Sequence, residues 1–224
     1  MKTQYCYAQP HPAVTTDIVV FTIVDHTLSA LLIERRNDPF KGHWALPGGF
    51  VDMDEDLETG ALRELREETG VDNVYLEQLF TFGAKNRDPR ERVITVAYFA
   101  LVPRHLVAPH AGSDATRLAW HPIDNLPALA FDHREIIRVA QERVSAKTRY
   151  STVALQFLPE HFTLTELQQV YEVLRQESLD KRNFRKWVLA LDCLEETGNF
   201  RRQGQHRPAK LYRAKCRDKV EFFK

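Results

Sequence analysis

The chain has 224 residues, 43% of them hydrophobic, and its 31 basic and 31 acidic side chains cancel. That length suits one large domain or two modest ones with ordinary cores. The apolar runs are far shorter than a membrane span, and the opening MKTQYCYAQPHP lacks the apolar centre of a signal peptide. A soluble, cytoplasmic protein with no membrane partner is therefore expected. Cys6, Cys193 and Cys216 are odd in number and widely spaced, suggesting neither a disulfide framework nor a zinc site. The zero total conceals a split: residues 1–148 carry 16 Lys and Arg against 21 Asp and Glu (net −5), and residues 149–224 carry 15 against 10 (net +5). An acidic body with a basic tail suggests two tasks, one of them with a polyanion.

Thr15 to Val24 is β-branched and aromatic, and Ser29 to Ile33 follows an Asp25-His26 turn, which predicts an early pair of strands. Arg35 to Trp44, with Asn37, Asp38, Pro39 and Gly42, reads as a loop delivering Trp44-Ala-Leu-Pro-Gly-Gly-Phe50. Trp44 itself reads as packing. Leu57 to Thr69 should be a helix, since Asp54, Glu55 and Asp56 stand where its positive end favours acids and Gly70 suits a left-handed C-cap. On that helix Glu64, Glu67 and Glu68 stand at i, i+3 and i+4, within roughly 100° of arc. Like charges at that spacing repel, and a hard cation such as Mg²⁺ or Mn²⁺, taking carboxylate oxygens together with substrate phosphates, would relieve them. The plainer reading is a solvated acidic face.

Gly49, five residues, Glu55, seven residues, then Arg63-Glu64-Leu65-Arg66-Glu67-Glu68-Thr69-Gly70-Val71 resembles the Nudix box at every defining position. The resemblance implies a loop-helix-loop that binds divalent cations and cuts or grips a nucleoside diphosphate linked to another group. It implies that Glu64, Glu67 and Glu68 ligate metal, one of them also handling the proton of the attacking water. Arg63 would pair with Glu55 to brace the loop, and the backbone at Gly48 and Gly49 would approach metal or phosphate where a Cβ would obstruct it.

Val74 to Phe82 and Val93 to Val102 are strand-like, separated by the polar, basic Gly83 to Arg90. This segment is similar to the loop and strand of Nudix proteins of the ADP-ribose type. Arg87 or Arg90 could reach substrate phosphate through a guanidinium fork; the other reading is a solvated hairpin tip. Leu118 to Asp124 suggests a last strand, and Asp132 with Glu135 a capping-box-like start to a helix running to Lys147. The resemblance implies an α/β sandwich, a mixed sheet between helices, and places a domain over residues 1–148.

Residues 149–224 then form a second domain. Tyr150 to Leu158 offers a short apolar helix ended by Pro159. Thr163-Leu-Thr-Glu166 is a capping box opening an amphipathic helix with Leu164, Leu167, Val170, Tyr171 and Leu174 on one face, to about Glu177. Asp180 can cap a third helix whose inward stripe is Phe184, Trp187, Val188, Leu191 and Leu194. Helix, short turn, helix is the helix-turn-helix pattern.

The third helix opens with Lys181, Arg182, Asn183, Arg185 and Lys186, although cations are disfavoured at a helix N-terminus by about 0.3–1 kcal/mol each. DNA offsets that cost, because recognition helices present N-terminal Arg, Lys and Asn to bases and phosphates. Phe200 to Arg217 contains no acid, and Arg201, Arg202, His206, Arg207 and Lys210 read as a basic wing at a hairpin tip. Each basic stretch alone would suit a solvated face; their combination points to double-stranded DNA.

Together these segments resemble the winged-helix tail, an α+β winged helix-turn-helix, of Nudix-related transcriptional regulators of NAD metabolism. That resemblance implies a homodimeric repressor released from palindromic operators when its Nudix domain binds ADP-ribose as effector. The alternative is a working Mg- or Mn-dependent ADP-ribose pyrophosphatase, with ADP-ribose as substrate and a tail for assembly or RNA binding. The intact carboxylates keep this open.

Overall fold

The computed structural model of the protein describes residues 7–72, 74–104, 115–202, 208–217 and 219–223. Its first part is built on β1 (Ala13–Val24), the longest strand, with β2 (Thr27–Arg35) turned back on it. Val24 and Thr27 pair across the two-residue turn, where Asp25 and His26 both take positive φ (46° and 61°), as the twist of a tight hairpin demands. Short β3 (Trp44–Ala45) and β4 (Gly48–Phe50) follow, then α1 (Leu57–Thr69), which ends as expected on Gly70 with φ 70°. After α1 come β5 (Tyr75–Phe82), β6 (Val93–Leu101), β7 (Ala115–Pro122), a 3-10 turn at Ile123–Asn125 and α2 (His133–Lys147).

These strands form one mixed sheet in the order β3-β2-β1-β6-β5, with β4 paired to β1 and β7 to β2. The β1–β6 pair is parallel; the other pairs are antiparallel. Alternate side chains sort the central strands into two cores. Ile18, Val20, Leu31, Tyr98 and Ala100 pack with Ala61 and Leu65 of α1. Val19, Phe21, Leu32, Phe99 and Leu101 pack with Ile136, Ile137, Ala140 and Val144 of α2. A sheet covered on both faces is the expected α/β sandwich.

Beyond α2, residues 150–158 do not make an α-helix as expected; a five-residue 3-10 helix, Val153–Phe157, stands there instead. Next come α3 (Leu164–Arg175), α4 (Lys181–Ala190), β8 (Leu194–Arg201) and β9 (Ala209–Ala214), the last two an antiparallel hairpin. The Thr163 capping box closes in both directions, and all five apolar positions expected to face inward from α3 are buried. In α4 the stripe ends earlier than expected: Leu194 is buried as the first residue of β8 and not as a helical position. This is a helix-turn-helix with a wing.

The core on the α2 side of the sheet continues without a break through Val153, Leu155 and Phe157 into Leu167, Tyr171 and Leu174 of α3 and Phe184 and Val188 of α4. Residues 219–223 return across the junction: Phe223 N donates to Tyr150 O and Thr152 N to Glu221 O. No helix among the described residues is long and apolar enough to cross a membrane.

Candidate functional site

Three features bring the box together. Gly48 has φ +150° and lies so close to β1 that a Cβ would come within 2.1 Å of Thr16 O. At Gly49 a Cβ would meet Glu64 Oε1 at 2.4 Å. Glycine is required at Gly48 by the β1 backbone, whereas at Gly49 the flexible Glu64 carboxylate could move aside. Glu68 reaches the same loop, its Oε2 accepting from Gly48 N at 2.9 Å.

Arg63 occupies the centre of the acidic cluster. Its guanidinium forks onto Glu55 at 2.7 and 3.0 Å, donates to Glu64 Oε1 at 2.8 Å and lies 3.4 Å from Glu67 Oε2. The bonds from Arg63 and from Asp52 N bring the Glu55 pKa down to about 2, and Glu55 in turn raises that of Arg63. Glu64 moves the opposite way: burial pushes its pKa up despite Arg63. Glu67 faces solvent, with 60% of its side chain exposed. Carboxylate oxygens suit a hard divalent cation in type. Yet among the described residues no three acidic, His or Cys side chains are gathered to share one. Arg63 bridges Glu55, Glu64 and Glu67 as the side chains stand, so Glu64 and Glu67 would have to leave it to hold a cation.

Above Gly48 and Gly49 opens a cavity of about 220 Å³, lined by Thr15, Asp17, Arg35, Arg36, Phe50, Glu68, Arg87, Arg90, Phe131 and His133 among others. The lining carries four arginines and four acids, Asp17, Asp38, Glu68 and Asp88; Arg87 and Arg90 are paired with acids, and an anion here would be met by the arginines. Burial, then the neighbouring Arg90 charge, lowers the Arg35 pKa, although the charges of Asp88, Glu68 and Asp17 oppose the shift. Arg35 lies 4.9 Å over the Phe131 ring, and Arg90 lies 5.5 and 5.9 Å from the Phe50 and Phe131 rings, so flat apolar surface adjoins the charge. Thr15 Oγ1 is buried in this wall with no hydrogen-bond partner among the described residues.

Arg87 is not the solvated hairpin tip that was one of its two readings. Its side chain is 4% exposed and held between Asp17 Oδ2 (3.0 Å) and both oxygens of Asp132 (2.8 and 3.0 Å). Burial opposes its charge, but the bonds to Asp132 and the Asp17 charge outweigh this and raise its pKa. Arg90, half-exposed, is folded onto Asp88 at 2.7 and 3.0 Å. The capping box expected at Asp132 and Glu135 does not close, because the Asp132 carboxylate is committed to Arg87 and makes no cap bond.

Asp17, Arg35, Asp132 and His133 were missed from the sequence. One signal was present: Asp17 is the one charged residue of the buried strand β1, and an acid there requires a partner. His133, buried, accepts from Leu46 N at Nδ1 (2.8 Å) and turns Nε2 towards Asp17 (3.5 Å); burial lowers its pKa and keeps it neutral.

In the second part Asp180 caps α4, accepting from Asn183 N at 2.8 Å. Phe184 and Val188 are buried, while Lys181, Arg182, Asn183, Arg185 and Lys186 all face solvent. Opposite them, Tyr171, Phe184 and Trp187 lock α4 to α3 with ring centroids 5.2–5.7 Å apart. The wing is less open than its sequence implies, because β8 and α3 supply acids to it. Lys210 pairs with Glu196 at 2.7 Å, and Arg201 with Glu166 at 2.7 Å and His161 O at 2.9 Å. Arg202 is exposed; His206 and Arg207 lie outside the described residues.

Residues 12–140 match the NUDIX domain family, and residues 154–214 match the NrtR DNA-binding winged helix domain. The chain is 39% identical to the ADPR responsive transcriptional repressor NtrR of Acinetobacter baylyi, over 93% of this chain and 84% of that protein. It is similar to the crystal structure of Shewanella oneidensis NrtR complexed with a 27mer DNA, at 42% identity and a TM-score of 0.80, covering 90% of this chain and 93% of that one. The NUDIX domain of Shewanella oneidensis NrtR complexed with ADP ribose matches at 39% identity and a TM-score of 0.54, covering 61% of this chain and 91% of that one. With a Nudix sheet, its box and pocket in the first part and a winged helix in the second, the chain belongs to the NrtR family of Nudix proteins.

Proposed function

We propose that this protein is a transcriptional repressor of NAD-related genes that binds double-stranded DNA through α4 and leaves it when ADP-ribose fills the Nudix pocket. The observation that carries the reading is the pairing, in one chain, of an arginine-walled pocket with a helix whose exposed face has four cations and no acid. Two relatives support it, one described as ADPR responsive and one crystallised on DNA.

In this reading Arg35, Arg36, Arg87 and Arg90 meet the diphosphate, and Phe50 or Phe131 meets a flat or apolar part of the nucleotide. Lys181, Arg182, Asn183, Arg185 and Lys186 enter the major groove, and Arg202, with His206 and Arg207 of the wing, follows the backbone. Residues 1–148 sense, residues 149–224 bind DNA, and a cytoplasmic homodimer presents two α4 helices to a palindrome with half-sites about 34 Å apart. Footprinting of DNA upstream of its own and neighbouring genes tests this. The reading predicts a protected palindrome that Arg182→Ala/Arg185→Ala loses; no protected site in any such region would overturn it.

A second reading keeps hydrolysis of ADP-ribose to AMP and ribose 5-phosphate alongside sensing, because Glu64, Glu67 and Glu68 are all retained. It requires Glu64 and Glu67 to exchange Arg63 for Mg²⁺ or Mn²⁺, with Glu68 beside Gly48. AMP released in Mg²⁺ by the native chain and not by Glu68→Gln would establish it; no AMP from the native chain would leave sensing alone.

A further inference from the structure

Asp132 belongs to two structures at once. It is the N-cap residue of α2, and it is the carboxylate onto which Arg87 of the pocket wall forks. It cannot serve both. An aspartate at an N-cap ordinarily accepts from the helix's second or third amide. Here it makes no such bond: Glu135 N and Ile136 N donate to the Asp132 backbone oxygen at 2.9 and 3.2 Å, and His133 N to Ala130 O at 3.3 Å. Arg87 is the group an anionic ligand would draw on, being a buried cation in the cavity wall.

From there α2 runs as a continuous packed element to the DNA-binding part. Ile136, Ile137, Ala140 and Val144 share one core with Leu167, Tyr171 and Leu174 of α3. At its far end the Arg175 guanidinium of α3 donates to Thr148 O at 2.8 Å and to Thr148 Oγ1 at 3.0 Å. The same guanidinium lies 4.9 Å from the Tyr171 ring and 5.4 Å from the ring of Trp187, which is on α4. A shared core and the Arg175 contacts therefore connect α2 to the exposed basic helix.

We propose that Asp132 is the positioning residue that couples the pocket to α4, through two exclusive arrangements. In one, seen here, its carboxylate holds Arg87 and makes no bond to the first turn of α2. In the other, a nucleoside diphosphate takes Arg87, and the carboxylate turns to the α2 amides. The capped helix shifts against Arg175, and Trp187 carries the shift to α4. A ligand moves such an equilibrium only by preferring one state, and competition for Arg87 provides the preference. The proposal rests on the repressor reading and names its route.

The test is the affinity of the full-length protein for its footprinted operator duplex, in fixed salt, with and without saturating ADP-ribose. Asp132→Asn retains a capping side chain but loses the charge that holds Arg87. The native chain should lose DNA affinity by about tenfold or more with nucleotide, within the usual range of coupling between sites. Asp132→Asn should bind both DNA and ADP-ribose, with the ratio between its two DNA affinities falling to within about twofold of one. Arg175→Lys, which cannot grip Thr148 at two points, tests the far end and should lower the ratio also. Native coupling retained in full by both variants overturns the proposal and leaves the repressor reading standing. An operator bound by the native chain equally well with and without ADP-ribose sinks both.

Discussion

A threonine hydroxyl with nothing to bond, buried in the wall of a cavity, costs stability unless something else completes it. Thr15 Oγ1 is in that position, and the wall around it holds Arg35, Arg36 and Arg90. Thr15→Val should therefore leave the melting temperature unchanged or raise it, while weakening ADP-ribose binding by roughly tenfold, the loss of about one hydrogen bond. Calorimetric titration beside a thermal melt separates the two; equal nucleotide affinity would remove Thr15 from the site. His133 makes a different prediction. Burial lowers its pKa from 6.5, so the unfolded chain takes up a proton at a higher pH than the folded one. Its contribution to stability is present in full above pH 6.5 and is lost as pH falls below that value. Denaturant melts from pH 7.5 to 5 should show this decline, and His133→Gln should flatten it; an unchanged slope would mean that other groups set it. At this scale the sequence was legible where partners are neighbours. Glu64, Glu67 and Glu68 share a helix face by spacing alone, whereas Arg87 meets Asp17 and Asp132 across 70 and 45 residues. No local pattern encodes such a meeting, and so the sequence left Arg87 between a phosphate contact and a solvated hairpin tip.

Among the elements, α1, α3 and α4 were legible because periodicity, caps and terminal glycine or acid all agree. Departures came where one side chain had a competing partner or where an apolar residue could serve two elements. Asp132 gave up its capping role to Arg87, and Leu194 closed the core from a strand. The wing shows the same limit in charge. Phe200 to Arg217 contains no acid, yet Glu196 on the facing strand and Glu166 on α3 pair with Lys210 and Arg201. On α4 the cations have no such acids on their own helix. Arg182→Ala and Arg185→Ala should each weaken operator binding by about 1–3 kcal/mol and lower the salt slope by about one where a phosphate contact is lost. Arg201→Ala and Lys210→Ala should cost clearly less, their side chains being already engaged. Electrophoretic mobility shifts over a salt series measure both sets, and equal losses from all four would assign the wing a full share of the interface. ADP-ribose binding should be unaffected by any of them.

For the molecule as a whole, the charge split between residues 1–148 and 149–224 pointed to two tasks, and a Nudix domain matches residues 12–140 and a winged helix domain residues 154–214. The single core that passes from the sheet through α2 into α3 and α4 was not legible, since amphipathic helices declare an apolar face without declaring its partner. That core matters to function, because a pocket and a DNA-binding helix joined by one packed interior can respond to each other. The central claim is that they do. Its most direct measurement is fluorescence anisotropy of the purified full-length protein with labelled DNA from upstream of its own and neighbouring genes, at one stated salt concentration, titrated with and without ADP-ribose. The account predicts tight binding to a palindromic segment, weakened by about tenfold or more when ADP-ribose is present. Weak binding that is indifferent to sequence and to nucleotide would contradict it.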